Sequence, residues 1–192
     1  MAGGFDFSEK SPQIPVLEAQ LDKARSLLPI TDKNAALPLG VGFLTFNPAG
    51  FVENIIPVLA KHRISGIWLS FPASGADNSR IISAIRAARE ESNWAVRIFV
   101  QAGDLASARE AIEQGADVVV AQGGDAGGHQ WAHGASVVVM VPEVRNLVGQ
   151  MEKGEEVAVV AAGGVVDGRG VVAALGLGKI YFDPCAGPMD GS

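Results

Sequence analysis

Histidine is scarce in this chain, with three in 192 residues. One of them, His129, closes the stretch Ala121-Gln-Gly-Gly-Asp-Ala-Gly-Gly-His129. The apolar run Asp117-Val-Val-Val120 precedes this stretch and stops abruptly in glycine. A buried strand that ends in glycines and then offers an imidazole makes a binding loop at a strand's C-terminal end. Glycine lets backbone approach a ligand closely, and imidazole titrates near neutral pH. The plainer alternative is a flexible turn carrying a solvated histidine, since single motifs are weak signals.

A second stretch has the same grammar. Val157-Ala-Val-Val-Ala-Ala-Gly-Gly-Val165 reads as a buried strand ending in paired glycines. Asp167-Gly-Arg-Gly170 then leads into an apolar helix, Val171–Leu177. A glycine turn that feeds a helix N-terminus presents free N–H groups and the positive end of the helix dipole, which suits a phosphate. Asp167 also reads as a helix N-cap, and the two roles use neighbouring groups.

Together, Gln122-Gly123, Ala126-Gly-Gly-His129, Ala161-Ala-Gly-Gly164 and Asp167-Gly-Arg-Gly170 resemble the nitronate monooxygenases, formerly called 2-nitropropane dioxygenases. Val100-Gln101 and Asp125-Ala-Gly-Gly-His-Gln130 read like the fungal branch, and the resemblance runs from about Gly40 to Gly178. It implies a flavoprotein with FMN as cofactor. It also implies O2-dependent oxidative denitrification of alkyl nitronates and nitroalkanes, with a small-molecule partner. By matching positions, His129 is the expected catalytic base and Gln122 is expected to reach the isoalloxazine region. Backbone at Gly127 and Gly128 is expected to approach the flavin or its phosphate. Gly163 and Gly164 are expected to give N–H groups to the phosphate, or else to form only a tight strand–helix turn. Gly42 stands where some bacterial members have an asparagine. Two other readings stay open. One is an FMN-dependent NAD(P)H reductase of enoyl or quinone type from the same superfamily, and the other is an inactive, truncated remnant.

The composition is compatible with these readings. At 192 residues the chain suits one domain, and 48% hydrophobic content is ample for a core. A formal charge of −6 and the lack of a basic cluster argue against a nucleic-acid partner. The single cysteine, Cys185, excludes an internal disulfide and favours a reducing compartment. With no signal peptide and no membrane-length apolar run, the expectation is an intracellular, cytoplasmic protein. No residue cluster has metal-ligand spacing.

The elements that must hold these residues alternate. Strands are expected to start near residues 37, 64, 95, 117 and 157. Helices are expected over Val16–Leu28, Phe51–Lys61, Ser79–Glu91, Leu105–Gln114, Pro142–Met151 and Val171–Leu177, with a short apolar run at Ser136–Val141. Such alternation indicates parallel βα units. A (β/α)₈ TIM barrel and an open doubly wound sheet both place ligands at strand C-terminal ends, and the family resemblance selects the barrel. Only five to six strands fit, so the barrel is expected to be incomplete, with Met1–Ser8 as the tail of a βα loop and Ile180–Phe182 as a remnant strand. Ser70 and Phe71 are expected at the pocket wall, with Gln101 pointing inward and His133 a weaker pocket candidate. His62 is expected to be a solvated helix cap.

Overall fold

Strand order decides between the two closures. The computed structural model describes residues 2–30, 32, 34–129, 131, 134–152 and 154–178. Six strands, β1 (Ala2–Gly4), β2 (Leu37–Leu44), β3 (Ile64–Ser70), β4 (Arg97–Ala102), β5 (Val118–Gln122) and β6 (Ala158–Ala162), form one sheet in the order β1-β2-β3-β4-β5-β6. Every pairing is parallel. Helices α1 (Gln13–Leu27), α2 (Ile56–His62), α3 (Gly75–Ser92), α4 (Leu105–Gln114), α5 (Val137–Gln150) and α6 (Gly168–Leu177) alternate with the strands. A doubly wound sheet reverses direction at a switch point, whereas this one never reverses. The chain winds in a single sense, as a (β/α) barrel does. Among the described residues β1 and β6 do not pair, so the barrel is incomplete.

Period-2 alternation divides each strand between two environments. On the helix-facing side Val41, Phe43, Ile67, Leu69, Ile98 and Val119 are at most 1% exposed. They pack in one cluster with Leu17, Leu21, Leu59, Ile81, Ile85 and Ile112 from the helices. Burying each such side chain stabilises the fold by about 1.5–3 kcal/mol. The opposite, concave side carries Gly42, Trp68 and Phe99, aligned across β2, β3 and β4. These residues are only half-buried, and no described strand covers them.

Several boundaries differ from expectation for local reasons. The residues read as the tail of a βα loop contain β1, whose Ala2 and Gly4 register with Gly42 and Phe43 of β2. The helix expected from Phe51 begins instead as a wide π turn, Phe51–Ile55, and becomes α-helical only at Ile56. Pro57 lacks an N–H and its ring crowds the preceding turn, which the wider turn relieves. The helix α5 starts at Val137 rather than Pro142. Its first-turn Val137 N–H is capped from a distance by Asp125 Oδ2 at 3.1 Å, and this tertiary cap overrides the weak helix propensity of a valine run. Ile180–Phe182 and Cys185 lie outside the described residues.

Candidate active site

The strand C-termini converge on one rim. Gln122, the last residue of β5, registers with Ala162, the last residue of β6. The Gly123 N–H donates to the Ala162 carbonyl at 2.8 Å. The two glycine-rich loops therefore leave the sheet side by side.

A line of hydrogen bonds crosses the concave face just below this rim. The Trp68 indole N–H donates to Gln101 Oε1 at 2.9 Å. Gln101 Nε2 donates to Gln122 Oε1 at 2.7 Å. Gln122 Nε2 donates to the backbone carbonyl of His129 at 3.0 Å. The side chain of Gln122 is 7% exposed, whereas His129 itself is exposed. The loop is tethered through its backbone, and His129 is exposed at the rim. Gln101 does point inward, as expected.

Aromatic side chains wall the histidine. The rings of Phe71 and His129 lie 5.9 Å apart, and those of Phe71 and Trp131 stack at 5.4 Å. Phe71 follows β3 with φ of 52°. A left-handed conformation is costly for a bulky residue and clusters at functional sites. Ser70 donates to the Phe43 carbonyl at 3.0 Å and lines the cavity on the concave face, as expected of a pocket wall. Trp131 packs over Gly103, where any side chain would collide with the indole.

The glycines fall into two kinds. Gly127 and Gly128 have nothing within 4 Å of where a Cβ would sit, so their backbone lies open to the rim. Gly163 and Gly164 have φ of 103° and 69°. Their missing Cβ atoms would meet Ala126 N at 2.9 Å and Asp125 Cβ at 3.0 Å. Packing between the two loops by itself demands glycine at 163 and 164. Two successive positive-φ residues make a tight turn that glycine alone takes without strain.

Behind this pair, Asp167 caps α6. Its Oδ1 accepts from the N–H groups of Arg169 at 2.9 Å and Gly170 at 3.4 Å. The Arg169 guanidinium grips Oδ2 at 2.6 Å. Hydrogen bonds from the Arg169 side chain, then from the backbone of Arg169 and Gly170, hold the Asp167 carboxyl below its usual range. The cap thus uses the N–H groups of Arg169 and Gly170 in the first turn of the helix.

A cavity of about 730 Å³ lies on the concave face, lined by Gly4, Phe5, Gly40, Gly42, Trp68 and Phe99 among others. Three of its liners are glycines of β2 and β3, at 40, 42 and 66. Trp68 belongs both to this cavity and to the hydrogen-bonded line. Trp68 and Phe99 lie parallel, with centroids 6.1 Å apart and planes 5° off. Sequence reasoning missed Trp68, although strand alternation places it on the face of Gly66 and Ser70.

Other expectations land elsewhere. His62 is not a solvated cap. It is 4% exposed, with Nδ1 3.9 Å from Asp22 and Nε2 without a hydrogen-bond partner. Burial pushes its pKa down, which outweighs the upward pull of Asp22. His133 lies outside the described residues. Among the described residues no group of three or more His, Cys, Asp or Glu could hold a metal ion. No described helix is long and apolar enough to cross a membrane.

Residues 77–180, which carry Gln101, Gln122, His129 and the 163–164 pair, match the nitronate monooxygenase family. The chain belongs to that family. It is 42% identical to a nitronate monooxygenase of Neurospora crassa, over 93% of this chain and 50% of that protein. It is 38% identical to nitronate monooxygenase npaC of Metarhizium robertsii, over 92% of this chain and 49% of that protein. The chain spans about half the length of the curated relatives it matches. Among solved structures it resembles FabK from Thermotoga maritima with a TM-score of 0.65 at 22% identity, covering 92% of this chain and 47% of that one. It also resembles nitroalkane oxidase from Streptomyces ansochromogenes with a TM-score of 0.64 at 20% identity, covering 93% of this chain and 54% of that one. These likenesses support the barrel fold, and the shares covered agree with its being incomplete.

Proposed function

We propose that this chain carries the histidine loop of an FMN-dependent enzyme that oxidises alkyl nitronates and nitroalkanes with O2. One observation supports the reading most strongly. The family's histidine position, His129, is held at the strand C-terminal rim by the Gln122 amide at 3.0 Å while its ring stays exposed beside Phe71. A bound FMN would supply the electron acceptor for the nitronate.

The residues present fit such a group. Gly127 and Gly128 leave open backbone onto which a planar ring or a phosphate can settle, because no side chain intervenes. Gly163 and Gly164 would turn N–H groups toward the phosphate, and Gln122 would lie within reach of the ring system. The concave cavity of about 730 Å³ falls in the size range of cofactor pockets.

The chain's own contribution to the chemistry is proton abstraction and orientation. A neutral nitroalkane must lose its α-proton before oxidation, and an imidazole nitrogen of His129 accepts it. A positioned base contributes about 10²–10⁴-fold. An already ionised nitronate makes no such demand, so His129 then only binds the nitro group. Phe71 and Trp131 would exclude water from one side.

The test is titration of the chain with FMN, followed by anaerobic addition of either ethyl nitronate or NADPH. Saturable quenching of flavin fluorescence, with bleaching by the nitronate, supports the proposal. Bleaching by NADPH alone would favour a reductase, and the absence of any FMN uptake would contradict both.

A further inference from the structure

We propose that Gln101 is a positioning residue, and that the Trp68 indole, acting through Gln101 and Gln122, sets the orientation of the His129 loop. The inference about activity rests on the function proposed above, whereas the inference about geometry does not.

A primary amide has an oxygen that only accepts and a nitrogen that only donates, and it can be turned over at little cost in shape. Two glutamines in contact could therefore sit in either sense. An indole N–H is a donor and nothing else. With Trp68 Nε1 2.9 Å from Gln101, the amide oxygen of Gln101 must face the indole. Its nitrogen then faces Gln122 at 2.7 Å, so Gln122 must present its oxygen there. The Gln122 nitrogen is thereby turned toward the His129 carbonyl, which can only accept. A single donor at the head of the line selects one of the two senses for each amide. Reversing either one sets two acceptors or two donors face to face.

The head is itself fixed. Trp68 stacks parallel to Phe99, its cross-strand neighbour, with planes 5° apart. Its indole is therefore aimed by the strand pair β3–β4 rather than by the loop. Gln122 is 7% exposed, so a misoriented amide would lie largely out of reach of water. A polar line with its middle member buried and its ends half-buried or exposed is held in one sense where each donor meets an acceptor.

Two substitutions at position 101 separate positioning from space-filling. Gln101→Met keeps the length and removes both polar ends. Gln101→Glu keeps the acceptor for Trp68 and opposes a second acceptor to Gln122 Oε1, forcing the Gln122 amide to turn over. The readout is NMR on the labelled chain without added cofactor, following the His129 carbonyl carbon and the Trp68 indole proton. For Gln101→Glu the indole signal should stay hydrogen-bonded while the His129 carbonyl moves upfield on losing its donor. For Gln101→Met both should move. An unchanged His129 carbonyl in both variants, with the rest of the spectrum native-like, would overturn the proposal. Where the unsubstituted chain turns over nitroalkane, Gln101→Glu should also lower kcat on the neutral substrate by about tenfold or more with a smaller change on the nitronate. If the carbonyl moves but the two substrates lose equally, the positioning stands and the base role of His129 fails.

Discussion

Phe71 and His129 meet ring to ring at 5.9 Å although they lie on loops that follow different strands. Phe71 makes this contact from a left-handed backbone, with φ of 52°. Such a conformation costs about 1–3 kcal/mol in a non-glycine residue. The contact joins the loop after β3 to the loop after β5 against that cost.

Phe71→Gly separates the two contributions. Glycine accepts the positive φ freely, so backbone strain is relieved while the ring is lost. The melting temperature is expected to change by only a few degrees, while turnover of a neutral nitroalkane falls clearly. Thermal melts beside the activity assay check this, and a large drop in melting temperature would show that the ring is structural.

The two glycine pairs should respond in opposite ways. Gly163→Ala meets both a φ of 103° and the Ala126 backbone, and should destabilise the fold by more than about 1 kcal/mol. Gly127→Ala meets nothing within 4 Å and should leave stability within about 0.5 kcal/mol while weakening FMN binding. Denaturant melts and flavin titration on the same two variants report both effects. Unchanged FMN affinity in Gly127→Ala would remove that backbone from the cofactor site.

His62 should make stability fall on the acid side. Its folded pKa is depressed from 6.5, first by burial, against the upward pull of Asp22 and Glu18 and with the added downward push of Lys61 and Arg25. The unfolded chain therefore binds the proton first as pH drops. Stability is full above about pH 6.5 and declines as pH falls toward the depressed folded value. His62→Gln should flatten that part of the profile in melts between about pH 7.5 and 5. An unaltered slope would assign the acid loss to other groups.

How much of this was legible follows from physical range. The alternation of apolar runs and glycine turns revealed parallel βα units, and α4 begins and ends where read, at Leu105 and Gln114, with Gly115 as its C-cap at φ of 95°. Gln101 was expected inward from its place at a strand end, and Gln122 was singled out by the family resemblance. The partners were not legible, because Trp68, Gln101, Gln122 and His129 meet through strand register and loop path, which no local pattern encodes. His62 was misread for the same reason. A Lys-His-Arg triplet looks solvated until α1 is laid across it, with Arg25 donating to the His62 carbonyl at 2.6 Å. The valines before Pro142 read only as a short apolar run because the group that caps their N–H, Asp125, comes from a different loop.

The central claim is that His129 is a base for neutral nitroalkanes, not merely a ligand. The direct test compares His129→Ala with the unsubstituted chain, both supplied with FMN, on a neutral nitroalkane and on its pre-formed nitronate. The account predicts a loss of about 10²-fold or more on the neutral substrate, a much smaller loss on the nitronate, and unchanged flavin occupancy. Equal losses on the two substrates would contradict it.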